Sequence, residues 1–308
     1  MEESSDVTHG KSVLVTGATG LVGGRLLAPL SERYAGIRTL SRSGSSPFPG
    51  ADARRWDGVD PGATALDGVE AVIHLAGEPI FGGLPTQARL RRVRSSRIDS
   101  THRLVDRMLE RPPEQRPSVF VCASAVGYYG DRGDEPLDES AAGGTGFLAE
   151  VCRDWEAEAE RATEGGIRVV SLRIGVVLSS EGGALGLMKV PFSLGVGGRL
   201  GSGDQFFPWI HVDDLVKIIL FTLEEEISGP VNAVAPEAVR NRDLTRALGE
   251  VLGRPTVLPV PAFAVKTLLG SISGELLGSR RVVPAELSKH GFVFETPTIR
   301  EAIEKELG

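Results

Sequence analysis

Gly17, Gly20 and Gly23 stand at G-x-x-G-x-x-G spacing directly after the apolar run Val13-Leu14-Val15-Thr16. A strand that passes through such a turn into a helix can bring its backbone against a pyrophosphate and aim the partly positive helix N-terminus at that anion. The last glycine permits close packing of helix on strand, and Thr19, Leu21 and Val22 complete the turn. A chain with 39 glycines also forms ligand-free turns of this spacing, so the triplet gains weight only from its flanking strand and helix. A second apolar run, Ile37 to Leu40, ends in Ser41-Arg42 rather than in an acid. An acid there favours a free ribose 2′-hydroxyl, whereas an arginine pairs with a 2′-phosphate. The expected cofactor is therefore NADP(H), with Arg42 as phosphate clamp and Ser41 beside it.

Other candidates stand at the predicted strand ends. Asp57, after a third strand (Ala53 to Trp56), either accepts from the adenine amino group or caps a turn. The run Ala71 to Gly77 closes in small residues, Gly77 among them, that let a flat ligand approach. His74 inside that run reads as a hydrogen-bonded core histidine. Glu78, just beyond the strand end, is a candidate acid or base, or a polar rim residue, the rim reading being the more ordinary. Ser124, after the strand Val119 to Cys122, is placed to hydrogen-bond a substrate carbonyl or alcohol, without the G-x-S-x-G of a nucleophile elbow. Cys152, in a helix from about Gly146 to Ala162, is either a reactive thiol or a packed, inert one.

The arginine-rich stretch from Arg89 to Arg97 looks like a nucleic-acid patch, but Leu90, Val93, Thr101, Leu104 and Met108 recur at helical spacing. Arg97 falls on that packed face and needs a partner, which a cofactor phosphate or a carboxylate could supply. Residues 182–208 are glycine-rich without periodicity and read as a ligand-wrapping loop, with Lys189 and Arg199 as its cations. Asp213-Asp214 reads as a helix start rather than a metal site, and no metal is expected.

The alternation of strands and helices from Ser12 to Val234 calls for an α/β fold with a doubly wound parallel sheet of NAD(P)-binding Rossmann type and a smaller C-terminal substrate lobe. The expected division assigns 1–10 to a disordered or extraneous leader and 11–180 to the cofactor domain, with 209–235 returning to it. Residues 181–208 and 236–308 form the smaller lobe. A formal net charge of -7 argues against nucleic acid as partner, and no apolar window is long enough for a bilayer. The expected partner is a small-molecule substrate, anionic or nucleotide-linked, and a homodimer is the assembly allowed for. Two cysteines, Cys122 and Cys152, without paired spacing point to a reducing compartment: the cytoplasm, or an organelle stroma or matrix after loss of a leader.

The segments VTGATGLVGGRL, VIHLAGEPI, SAVGYYG, RIGVVL, GGRLGSG and FPWIHVDDLV resemble the extended and atypical short-chain dehydrogenase/reductases. With VRNRDLTRALGEVLGRP and KHGFVFETPTIREAI, they resemble in particular the epimerase-family SDR39U1-like subgroup of nucleoside-diphosphate-sugar epimerases over nearly the whole chain. The resemblance implies that Leu75, Ala76, Arg97 and Val176 run along the cofactor and that Ser124 orients the reacting alcohol or ketone. The wider family's catalytic Tyr-x-x-x-Lys does not carry over. The tyrosines are Tyr34, Tyr128 and Tyr129, and none precedes a lysine by four residues. The corresponding helix reads Phe147-Leu148-Ala149-Glu150-Val151-Cys152, and the subgroup's cysteine in place of the lysine matches Cys152. The expected protein is thus an NADP(H)-binding oxidoreductase or epimerase whose proton carrier is Glu78, Tyr128, Tyr129 or Cys152. The alternative is a non-catalytic NADP(H)-sensing protein that regulates a protein partner.

Overall fold

The computed structural model describes residues 8–81 and 83–308. Seven parallel strands form one sheet: β1 (Thr8–Thr16), β2 (Tyr34–Ser41), β3 (Asp52–Arg55), β4 (Val69–His74), β5 (Val119–Ala125), β6 (Arg168–Ile174) and β7 (Gly229–Ala233). Their spatial order is β7-β6-β5-β4-β1-β2-β3. The chain therefore builds outward from β1 in one direction and then crosses back to lay β4 on its other side. That reversal opens a crevice beyond the carboxyl ends of β1 and β4, where ligands bind in such sheets.

Both sheet faces are covered, as parallel strands require. Val13, Val15, Ala71, Ile73, Val119, Val121, Val170 and Leu172 point to a core shared with α1 (Leu21–Ser31) and α5 (Val212–Glu224). The intervening Leu14, Val72, Phe120, Cys122 and Val169 point to a second core with α2 (Gln87–Leu109) and α3 (Phe147–Glu160). The two-residue alternation of a strand thus places successive apolar side chains in different cores. On α2 the buried positions include Leu90, Val93, Thr101, Leu104 and Met108, the face expected from helical spacing.

Two local expectations are revised. The glycine-rich stretch contains a helix, α4 (Gly183–Ser193), despite Pro191, because Leu185 and Phe192 bury against the first core. Helix α5 is capped not by an aspartate but by His211, whose Nδ1 accepts from Asp213 N at 3.2 Å. The predicted leader falls outside the described residues for 1–7, and β1 begins at Thr8.

The remaining helices are α6 (Asn241–Leu252), α7 (Ala262–Leu269), α8 (Gly274–Leu277), α9 (Ala285–Lys289) and α10 (Ile299–Leu307). The paired aspartates tie this C-terminal segment down. Asp214 is fully buried and accepts from Glu295 N (2.8 Å), Thr296 N (3.0 Å) and the Thr296 hydroxyl. Asp213 pairs at the rim with Arg25 and Lys305, each at 2.7 Å. Removing Asp214 orphans buried donors, whereas the Asp213 pairs are partly solvent-screened. Asp214→Ala should lower the urea unfolding free energy by about 3 kcal/mol and Asp213→Ala by less than about 1 kcal/mol; equal losses would show that the buried carboxylate is no special tether.

Candidate functional site

The glycine turn is built on close approach. Gly17 has φ +74°, and a Cβ there would lie 2.8 Å from the Leu75 carbonyl carbon and 2.9 Å from Ala76 N. A Cβ on Gly23 would lie 2.3 Å from Gly17 O. Gly20 donates its N–H to Gly17 O at 2.9 Å and stands at the head of α1 without a side-chain cap, and no acid occupies the first turn. The opening N–H groups of α1 thus remain available to an anion.

The turn is pinned to β4 by a buried polar chain. Thr16 Oγ1 lies 2.6 Å from His74 Nδ1 and accepts from Ala76 N at 3.2 Å, while His74 Nε2 lies 3.3 Å from Ser100 Oγ. Burial, aided by the positive charge of Arg97, lowers the His74 pKa to about 3, so the ring is neutral at ordinary pH. His74 therefore joins β1, β4 and α2 as a core residue.

At the end of β2, Ser41 Oγ donates to Ser45 O (2.8 Å), and Ser41 O accepts from Trp56 N (2.8 Å). Arg42 is exposed in this braced turn, with no acidic partner among the described residues. Arg55, in register with Ser41 across β2 and β3, is likewise exposed and without an acidic partner among the described residues. Its backbone packs 3.4 Å from where a Gly44 Cβ would stand. Neighbouring Arg38 and Arg54 both bind Asp52 at 2.8 Å, which leaves Arg42 and Arg55 as cations flanking one turn. Sequence reading named only Arg42. Asp57 Oδ1 accepts from Val59 N (2.9 Å), the turn-capping arrangement.

Beyond β4, Gly77 lies against the Arg97 guanidinium, whose carbon is 3.2 Å from a Cβ built on the glycine. Arg97 Nη1 donates to Glu78 O and Val93 O, both at 3.0 Å, and the group sits 5.2 Å from the Trp155 ring. Burial lowers the Arg97 pKa from its usual value. Within the protein its hydrogen-bond partners are thus backbone carbonyls rather than a carboxylate. Ser96 Oγ accepts from Glu78 N (2.9 Å), so Arg97 and Ser96 together fix residues 77–78, while the Glu78 carboxylate lies 4.0 Å from Arg92.

At the carboxyl end of β5, Ser124 is nearly inaccessible, and its Oγ donates to Glu156 Oε1 at 2.6 Å. Arg173, in register with Ser124, holds both Glu156 oxygens through Nε (3.0 Å) and Nη2 (2.9 Å). Its Nη1 reaches the Tyr129 hydroxyl at 2.9 Å, and its guanidinium lies 3.5 Å from the Tyr128 ring centroid. Tyr129 in turn donates to Asn232 Oδ1 at 2.7 Å, and burial pushes its pKa up to about 12. Tyr129 is thereby engaged within the protein, and Tyr128 lies flat against Arg173.

Neither Glu156 nor Arg173 was singled out from sequence. An arginine between Leu172 and Ile174 in an apolar strand was the available signal, because a buried cation requires a partner. Leu148, Cys152 and Glu156 recur every four residues along one face of α3. Cys152 is buried, and burial, with the nearby Glu156 and Glu275 carboxylates, pushes its thiol pKa up to about 12. Val176, just past β6, is half-buried and donates its N–H to Pro208 O at 2.8 Å.

The carboxyl ends of β1, β4, β5 and β6 thus gather the glycine turn, residues 75–78, Arg97, Ser124 and Cys152, with Ser41, Arg42 and Asp57 at the ends of β2 and β3. Among the described residues, no group of three or more His, Cys, Asp or Glu side chains is placed to hold a metal ion. Burial also raises the Cys122 thiol pKa. A thiol of pKa about 12 is roughly one part in ten thousand thiolate at about pH 8. Both cysteines should therefore resist a thiol-reactive chromophore in the native protein and react on unfolding in guanidinium; rapid labelling of one native thiol would contradict this.

Comparison with known proteins agrees with this architecture. The model of the NAD dependent epimerase/dehydratase family matches residues 13–234, and a domain of unknown function, DUF1731, matches residues 260–306. The chloroplastic epimerase family protein SDR39U1 homolog of Arabidopsis thaliana is 40% identical over 312 aligned positions, covering 97% of this chain and 88% of its own. The crystal structure of human epimerase family protein SDR39U1 (isoform 2) with NADPH matches with a TM-score of 0.87 at 32% identity, over 96% of this chain and 99% of that one. A nucleoside-diphosphate sugar epimerase from Corynebacterium glutamicum matches with a TM-score of 0.78 at 37% identity, over 97% of this chain and 58% of that one. With a parallel seven-stranded sheet, a glycine turn at its switch point and these relatives, the chain belongs to the NAD dependent epimerase/dehydratase family.

Proposed function

We propose that the chain binds NADP(H) in this crevice and acts as an oxidoreductase or epimerase-like enzyme on a small hydroxyl-bearing molecule, anionic or nucleotide-linked. The observation that carries the reading is the combination of an uncapped glycine turn with Arg42, which lacks an acidic partner among the described residues at the end of β2. A crevice selective for NAD(H) would place a carboxylate where Ser41 and Arg42 stand. The human relative crystallised with NADPH supports the same reading.

In this arrangement Gly17 to Gly23 receive the pyrophosphate, Arg42 holds the 2′-phosphate with Arg55 beside it, and Asp57 faces the adenine edge. Leu75, Ala76, Gly77 and Val176 border the nicotinamide half, and Arg97 fixes that wall. When bound, NADP(H) supplies the hydride acceptor or donor. Ser124 is oriented by Glu156: because its own proton is directed to that carboxylate, its lone pairs remain to accept from a substrate hydroxyl. The Corynebacterium relative, named as a nucleoside-diphosphate sugar epimerase, favours a sugar nucleotide as substrate class. Both cysteines are free and buried, which suits a reducing compartment, either cytoplasm or organelle stroma.

A second reading, a non-catalytic NADP(H) sensor acting on a protein partner, is favoured by Leu148 and the neutral thiol of Cys152 on the α3 face where the wider family carries tyrosine and lysine. Consumption of NADPH with any member of a metabolite library favours the enzyme; NADPH binding with no consumption favours the sensor.

Wild-type protein should bind NADPH at least about tenfold more tightly than NADH, and Arg42→Ala should remove about 1 to 2 kcal/mol of that preference by weakening NADPH alone. Calorimetric titration checks both, and equal affinity for the two nucleotides in wild type would overturn the assignment.

A further inference from the structure

The C-terminal segment places a carboxylate against the turn after β5, beside α3. A Cβ built on Gly127, in the turn directly after β5, would lie 3.3 Å from Glu275 Oε2 and 3.3 Å from Leu148 Cβ. The carboxylate therefore fills the space that glycine leaves open beside Leu148. Leu148 precedes Cys152 by one helical turn, on the stretch of α3 where the proton-carrying pair is missing. Glu275 is held from the other side by Arg280, whose Nη2 lies 3.0 Å from Oε2, and that arginine is almost wholly buried. Among the described residues Arg280 is the cation paired with this carboxylate. Glu156 has both oxygens engaged by Arg173 and Ser124.

We propose that Glu275 is the acid–base residue of this crevice, facing the nicotinamide end of bound NADP(H). The inference rests on the NADP(H) reading above. In oxidation of a secondary alcohol, the carbon-bound hydrogen leaves with its electron pair to NADP+, and the C=O bond forms. The hydroxyl proton passes to the Glu275 carboxylate, giving ketone, NADPH and the carboxylic acid; reduction runs in reverse. Burial raises the Glu275 pKa from its ordinary value, opposed by Arg280, which brings the group toward the range in which it can both give and take a proton. Cys152 on α3 lies within electrostatic reach of this carboxylate, and Asp131 stands at the end of α8, its Cβ 3.4 Å from a Cβ built on Gly278.

The oxidised nicotinamide ring is cationic and the reduced ring is neutral, so an ionised Glu275 nearby favours NADP+ over NADPH without any substrate present. The affinity ratio of the two nucleotides cancels the contributions of the 2′-phosphate, the pyrophosphate and Arg42, which they share. Titrating both nucleotides on the full chain from about pH 5 to about pH 8, the ratio should shift toward NADP+ by roughly fivefold to tenfold. Glu275→Gln should flatten the dependence. A wild-type ratio independent of pH overturns the proposal whether or not the variant folds, as does a dependence that survives in Glu275→Gln. Failure of both nucleotides to bind at any pH overturns the cofactor reading and this one with it.

Discussion

The architecture depends on how closely one turn of backbone can lie against the end of a neighbouring strand. With Gly17 at φ +74° and its missing Cβ facing Leu75 and Ala76, the β1–α1 turn rests directly on β4. Any larger residue there would separate β1 from β4 at the point where the order of strand addition reverses. Gly23 does the same in the first turn of α1, seating the helix on the carbonyl of Gly17. Thr16, His74 and Ser100 then lock the contact with hydrogen bonds in a site where water does not compete. The same turn leaves the first N–H groups of α1 uncapped, because Gly20 at its head has no side chain.

A second constraint is the buried ion pair of Glu156 and Arg173. Taking two charges out of water is costly unless every donor and acceptor is satisfied. Here Ser124, Tyr129 and the Glu139 carbonyl complete the set, and the Tyr128 ring covers the guanidinium. The pair ties α3 to β5 and β6 and fixes the hydroxyl of Ser124 in a single orientation. The C-terminal segment is fixed by equally saturated carboxylates, Asp214 and Glu306, the latter accepting from Ser180 and lying 3.0 Å from His211 Nε2.

The features legible in the sequence were those set by local pattern. The glycine turn, the apolar strands and the amphipathic α2 depend on residues within a few positions of one another. Helix α4 was missed because its glycines and Pro191 outweigh local propensity, whereas burial of Leu185 and Phe192 decides its conformation. Arg55 could not be separated from Arg38 and Arg54 until Asp52 was seen to take the latter two. Glu156 and Glu275 owe their places to partners distant in the chain, and one sequence carries no record of such pairings.

The most direct test is a crystal structure of this chain with NADPH. It should place the pyrophosphate over Gly17 to Gly23, the 2′-phosphate against Arg42 and the nicotinamide beyond Leu75 to Gly77, with Ser124 and Glu275 facing the ring. A nucleotide bound elsewhere, or one whose nicotinamide lies away from both side chains, would contradict it.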